Sequence, residues 1–301
     1  MAEKLHNTES EFESAISSDE FLSNINAEHP ELLLRVPDIA PKGDHHDIPI
    51  VENNEPLVKI GETDRIFSEN YYHEHGYPKY EDDNPLEPAE HIALPDTLAD
   101  NYLRESVVGK LKQMLEYLPE DTSLLVLDGY RPLSTQSALF NTQYDVEVGR
   151  HPEIFTEQES GDAEMTTMDT ARQFYSIPSR DSKRPATHNT GGAVDVTLAD
   201  KEGKPLDLGV GFDFMGDQTE NQYYEKQLDN GVDLSEDELK RLFRRRVLNN
   251  IALKVGFKLY DGEPWHFDYG NQWGTDLNSE AVYGSVELGG ISVPEEPALT
   301  A

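Results

Sequence analysis

Cysteine is absent from the 301 residues, which excludes disulfides, thiolate metal sites and a cysteine nucleophile together. Any metal must then sit on histidine and carboxylates. Basic residues are scarce: 25 Lys and Arg face 59 Asp and Glu, for a net charge of -34. A surface of that sign repels phosphate backbones and anionic lipid, so nucleic acid and membrane are excluded as expected partners. The acidity suits a salt-rich cytoplasm and simple colloidal solubility equally well. No run reaches the roughly 18 apolar residues that span a bilayer, and the opening MAEKLHNTESEFES lacks the basic and apolar regions of a secretory signal. A cytoplasmic protein is the resulting expectation.

What is present divides unevenly along the chain. Residues 1–56 are acidic and short of sustained periodicity, and read as an N-terminal extension. DHHD (Asp44 to Asp47) has the look of a metal cluster, but adjacent histidines in an acidic loop are expected to be solvated. His73 and His75 in YYHEHGYPKY would share a face of an extended segment, with an aromatic edge or loop as the plainer reading. Leu103, Val107, Leu111, Met114, Leu115 and Leu118 recur at helical spacing until Pro119. Leu124 to Leu127 has strand length, Asp128, Gly129 and Pro132 mark a turn, and Ser134 opens another helical pattern. A short helix is expected from Thr166 to Tyr175, a half-buried strand from Ala193 to Leu198, and a further strand near Leu206. The strongest helix starts at Ser235, where SEDE forms a capping box with Glu238, and ends at Gly256. Arg244, Arg245 and Arg246 within it read as a solvated face. FKLY and WHFDYG supply two last strands, and residues 286–301 read as a flexible tail. Strands with flanking helices and no regular βαβ alternation point to an α+β domain over residues 57–285, a single domain with a mostly antiparallel central sheet flanked by helices.

Three segments carry chemistry. HNTGGAVDVTL sets His188 in a glycine-rich loop and Asp195 on the following strand, and a turn at Gly191 and Gly192 would let both face one point. Imidazole and carboxylate are the ligands zinc accepts when thiolates are absent. GEPWHFDYG adds His266 as a third ligand and Glu263, three residues earlier, as a base. A catalytic zinc needs three protein ligands, an open position for water and a nearby carboxylate to take that water's proton. DGYRP places Arg131 after a strand, where a guanidinium can stabilise an oxyanion or clamp a substrate carboxylate.

Together these segments resemble the D-alanyl-D-alanine dipeptidases, zinc enzymes known from vancomycin resistance and related to the D,D-carboxypeptidases of the cell wall. The resemblance runs from about Leu57 to Asn271, with the segments in the family's order. The family's H-x-x-G-x-A-x-D pattern falls on His188, Gly191, Ala193 and Asp195, and its E-x-W-H pattern on Glu263, Trp265 and His266. It implies one zinc per chain held by His188, Asp195 and His266, with Glu263 as general base. Arg131 inherits the polarising of the scissile carbonyl and its oxyanion. GFDFM matches a segment whose aspartate, here Asp213, holds the substrate's amino group. A small dipeptide, D-Ala-D-Ala, is the implied substrate.

Two positions depart from the pattern. Ala186 stands where the family usually has serine, which leaves Thr187 as the hydroxyl available to the substrate amine. Pro264 follows the base, as in the carboxypeptidase branch. A D,D-carboxypeptidase or peptidoglycan-fragment peptidase is therefore the alternative reading. A non-catalytic, zinc-stabilised binding module is a third, but a structural zinc would have a closed fourth position and no use for Glu263 or Arg131.

Overall fold

The computed structural model describes residues 7–39, 45–61, 63, 65–81, 84–150 and 178–286. The helix expected from Thr166 to Tyr175 and the tail from residue 287 onward lie outside these residues. A five-stranded sheet of order β2-β6-β7-β9-β8 forms the centre. Its members are β2 (Ile66–Ser68), β6 (Thr122–Asp128), β7 (Ala193–Asp200), β8 (Lys258–Leu259) and β9 (His266–Asp268). The β2–β6 pairing is parallel and the others are antiparallel, in line with the expected α+β class. Separate antiparallel pairs join β1 (Leu57–Lys59) to β5 (Tyr102–Arg104) and β3 (Tyr77–Lys79) to β4 (Glu90–Ile92). The expected strand near Leu206 is reduced to an isolated bridge between Ala199 and Pro205.

β6 and β7 are buried along nearly their whole length because both sheet faces are covered. On one face Leu124, Val126, Val194, Val196 and Phe267 pack with Leu111 and Met114 of α4 (Glu105–Met114) and with Leu242, Val247 and Leu248 of α7 (Glu236–Lys254). The opposite face carries Leu125, Leu127 and Ala199 beside an aromatic group that includes Tyr72, Phe212, Phe214 and Trp265. The period of two along a strand assigns Asp195 to this second face, since Val194 and Val196 occupy the first. α3 (Tyr71–Glu74) brings Tyr72 to it, and α5 (Leu133–Arg150) adds Leu139 and Phe140.

α7 begins as expected, with the Ser235 and Glu238 side chains each accepting the other's backbone N–H, and Gly256 takes a φ of 92° just past its end. The arginine run differs from its expected solvated face. Arg245 is 2 % exposed and donates to the carbonyls of Leu208, Gln218 and Glu220, each at 2.8 Å. Arg244 meets Asp19, while Arg246 forks onto Glu225 of α6 (Tyr223–Asp229). Amphipathic patterning missed this because an arginine run looks alike whether water or backbone carbonyls receive its protons.

Residues 9–28, expected within an acidic extension, form α1 (Glu9–Ser17) and α2 (Glu20–Glu28). Thr8 and Glu11 make a capping box, and Ala15, Leu22 and Ile25 are buried in the core that includes α7. The expected helix at Leu103 starts two residues later, because Leu103 pairs with Val58 and the Arg104 N–H is donated to Gly191 O at 2.9 Å. His45 is not simply solvated either: it stacks on Trp273 at 4.6 Å, with His46 edge-on at 5.7 Å. The helical turn of α3 separates His73 from the extended segment, so it shares no strand face with His75.

Arg245→Met would leave three backbone carbonyls buried without their donor. A loss of about 3 kcal/mol or more is expected in urea unfolding, and a loss below about 1 kcal/mol would show that the guanidinium does not tie the 208–220 segment to α7.

Candidate metal centre and active site

Asp195 stands directly opposite His266 in the antiparallel β7–β9 ladder. Cross-strand partners share a face, so carboxylate and imidazole meet without help from a loop, and His266 Nδ1 lies 3.0 Å from Asp195 Oδ1. On the other side of β7, Val126 pairs with Val196 but Asp128 pairs with Asp195, because the register shifts between Val126 and Asp128. In an unshifted ladder Asp128 would oppose Val194 and face the helical core. The bulge turns it to the face of Asp195 instead.

His188 arrives from a short 3-10 turn, Thr187–Thr190, that runs through Gly191 and Gly192 into β7. Gly191 has a φ of 70°, and a Cβ on Gly192 would come within 2.5 Å of Tyr269 O, so both positions require glycine. Arg131 N donates to His188 O at 3.1 Å and Asn189 Nδ2 to Arg131 O at 2.6 Å, which locks this turn to the end of β6. His188 Nε2 then lies 3.2 Å from His266 Nδ1 and 3.5 Å from Asp195 Oδ2. Among the described residues, His188, Asp195 and His266 are the group of three whose ligand atoms converge, all within 4.8 Å of one another.

The outer contacts decide which nitrogen faces the centre. His188 Nδ1 donates to Gly129 O at 2.7 Å, leaving the Nε2 lone pair directed inward. His266 is turned the other way round, with Nε2 3.1 Å from Asp268 Oδ2, and Asn271 Nδ2 holds the other oxygen of Asp268 at 2.6 Å. Burial pushes the His266 imidazole down, but Asp268 and then Asp195 outweigh it and raise it well above its ordinary value. Burial pushes the Asp195 carboxyl up, and His188 with His266 hold it far below the usual carboxylate range. Two imidazole nitrogens and a carboxylate, each ring oriented by a second partner, fit a divalent ion such as zinc and leave a fourth position for a small ligand.

Glu263 precedes β9 in a tight turn, and its Oε2 is 3.6 Å from His266 Nδ1, at the edge of the same centre. Arg131 is 5 % exposed and held from two sides, by Asp128 Oδ2 at 2.9 Å through Nε and by Gln136 Oε1 at 2.9 Å through Nη1. Its Nη2 is 3.9 Å from Asp195 Oδ2 and 3.5 Å from Tyr72 OH. Tyr72 OH in turn donates to Asp213 Oδ2 at 2.5 Å, and burial followed by the Asp213 charge raises the phenol far above its ordinary value, which keeps it a donor. Asp213 has a φ of 59°, a left-handed conformation uncommon outside glycine, and Tyr80 OH donates to the adjacent Phe212 O at 2.7 Å. Thr187 is buried in the turn beside His188.

His188, Asp195 and His266 converge, Glu263 and Arg131 stand beside them, and Asp213 is linked to Arg131 through Tyr72, whereas His45 and His46 pack on Trp273 instead. Three others were not singled out. Asp268 had a signal, since two residues after His266 on a strand means the same face. Asp128, three residues before Arg131, needed knowledge of the bulge, and Tyr72 lies far away in sequence with no pattern to mark it.

A family model described as D-Ala-D-Ala dipeptidase matches residues 88–282. A D-alanyl-D-alanine dipeptidase of Synechocystis sp. is 30% identical over 200 residues, which cover 62% of this chain and 79% of that protein. Among solved structures, a mutant of the vancomycin resistance D,D-pentapeptidase VanY in complex with Zn(II) is 14% identical, covers 62% of this chain and 83% of its own, and superposes with a TM-score of 0.29. VanYB in complex with D-Alanine-D-Alanine gives 14% identity, 62% and 82% coverage and a TM-score of 0.29. Those two superpositions are too slight to carry any residue's role.

Asp268 and Asp195 favour the protonated form of the His266 imidazole, so an ion binding at Nδ1 competes with a proton there. Zinc titration by calorimetry, in buffers of different ionisation enthalpy, should report net proton release on binding, and affinity should fall as pH falls. Zinc binding without proton release would contradict this electrostatic arrangement.

Proposed function

Since the chain belongs to the D-Ala-D-Ala dipeptidase family and is a metallopeptidase, we propose that it hydrolyses the dipeptide D-Ala-D-Ala to D-alanine in a cytoplasmic pool, with residues 57–285 as the catalytic domain. His188, Asp195 and His266 are the ligands of one zinc ion in this reading, Glu263 is the general base, and Arg131 polarises the scissile carbonyl. Asp213 and Thr187 receive the substrate's ammonium. The carrying observation is the convergence of two imidazole nitrogens and a carboxylate, with the Glu263 carboxylate 3.6 Å from one of those nitrogens.

A zinc ion held there supplies Lewis acidity and makes hydroxide available near neutral pH. Glu263 takes the proton of the attacking water and returns it to the nitrogen that leaves when the C–N bond breaks, so one carboxylate serves as base and then as acid. Arg131, a fixed cation in a buried setting, balances the negative charge that develops on the carbonyl oxygen. Asp213 pairs with the substrate ammonium, and its contact with Tyr72 connects that anchor to Arg131. An anchored free amine would set the first peptide bond beside Glu263 and Arg131, which favours a dipeptide over a longer chain. The family match, the outer hydrogen-bond partners of both histidines and the placement of Arg131 among these carboxylates support the reading together. Pro264 beside the base keeps the carboxypeptidase alternative in view, and the test below separates the two.

Glu263→Ala should lower kcat on D-Ala-D-Ala by about 10²- to 10⁴-fold while zinc content stays at one per chain. The free dipeptide should be cleaved at least about tenfold better than N-acetyl-D-Ala-D-Ala, with Asp213→Asn erasing most of the difference. Equal cleavage of the capped and free substrates would remove the role given to Asp213, and release of D-alanine by Glu263→Ala at the native rate would remove that given to Glu263.

A further inference from the structure

The Asp128 side chain is 1 % exposed, and no step above uses it. Its Oδ2 receives Arg131 Nε at 2.9 Å and lies 2.8 Å from Arg131 Nη2, so a single carboxylate oxygen spans one edge of the guanidinium. The same oxygen is 3.4 Å from His188 Nδ1, but that nitrogen has the closer acceptor in Gly129 O at 2.7 Å. Distance therefore gives Asp128 to Arg131 and the backbone carbonyl to His188. Burial pushes the Asp128 carboxyl up, opposed by the Arg131 and His188 charges.

Arginine has a long, rotatable stem, and a guanidinium without a rigid partner loses its aim. Among the described residues Arg131 also meets Gln136 Oε1 at 2.9 Å, Tyr72 OH at 3.5 Å and the face of the Tyr72 ring at 5.1 Å, while Asp195, a metal ligand in the proposed reading, stands 3.9 Å away. Asp128 reaches the guanidinium only because the β6 bulge brings it opposite Asp195. We propose that Asp128 is the positioning residue of the reaction: it aims the Arg131 guanidinium at the scissile carbonyl and acts on catalysis through that arginine alone. The inference rests on the carbonyl-polarising role of Arg131 proposed above.

The experiment is a double-mutant cycle on D-Ala-D-Ala with Asp128→Asn, Arg131→Ala and the pair, with zinc content and unfolding measured on each. A misaimed guanidinium should cost about 10²-fold in kcat in Asp128→Asn, with KM within about twofold and zinc at one per chain. In the Arg131→Ala background the same change should cost less than about threefold. Equal losses in both backgrounds, or loss of zinc from Asp128→Asn, would overturn the proposal, the latter by moving the role to His188. If Asp128→Asn does not fold, the pair variant decides, because it removes both members of the buried ion pair. Methylguanidine should then rescue Arg131→Ala but not the pair, and rescue of both would overturn the proposal. An inactive wild-type protein would instead sink the functional reading itself.

Discussion

The register of three strands is the constraint on which the site depends. Asp128, Asp195 and His266 lie in one row across β6, β7 and β9, each opposite the next. A slip of one residue in either pairing would send one of them into the helical core and bring an apolar neighbour to the centre. That row is expensive to build, since it gathers buried carboxylates, and such groups persist only where partners compensate them. Arg131, His188 and His266 supply that compensation. A divalent ion, and in the proposed reaction a substrate ammonium, would bring further positive charge of the kind these carboxylates require.

The two faces of the sheet explain how this polar row coexists with a stable fold. Val194, Val196 and Phe267 pack toward α4 and α7, and the intervening positions on the same strands present Asp195 and His266. Alternation alone makes one strand serve both purposes. The aromatic group of Tyr72, Phe212 and Trp265 walls the polar face, which lowers the local dielectric and strengthens the pairing of Arg131 with Asp128. Asp213, which takes the substrate amine in the proposed reading, has a left-handed backbone beside this wall and accepts from Tyr72 of it.

Much of the site was legible because its chemistry is written in short segments. His188 with Asp195, and Glu263 with His266, are each separated by spacings that a turn or a strand converts directly into proximity. Arg131 and Asp213 were visible through the family's segments. The hidden parts depend on pairings between distant segments. The bulge that rotates Asp128 has no mark within β6, since it is defined by the partner strand, and Tyr72 reaches Asp213 across 141 positions of sequence. In the fold, the central antiparallel strands and α7 followed from periodicity and capping. α1 and α2 were obscured because their few apolar residues are diluted by acids, although the Thr8 to Glu11 capping box was there to be read. Arg245 misled because a buried cation satisfied by carbonyls and an exposed one share the same sequence context.

The most direct measurement is anomalous diffraction at the zinc edge from crystals of the zinc-loaded protein. The expected result is one ion bonded to His188 Nε2, His266 Nδ1 and an Asp195 oxygen at about 2.0 to 2.2 Å, with its fourth position on solvent and Glu263 nearby but not bonded. An ion bound instead at His45 and His46, or one whose fourth position is closed by a protein side chain, would contradict the proposed catalytic centre.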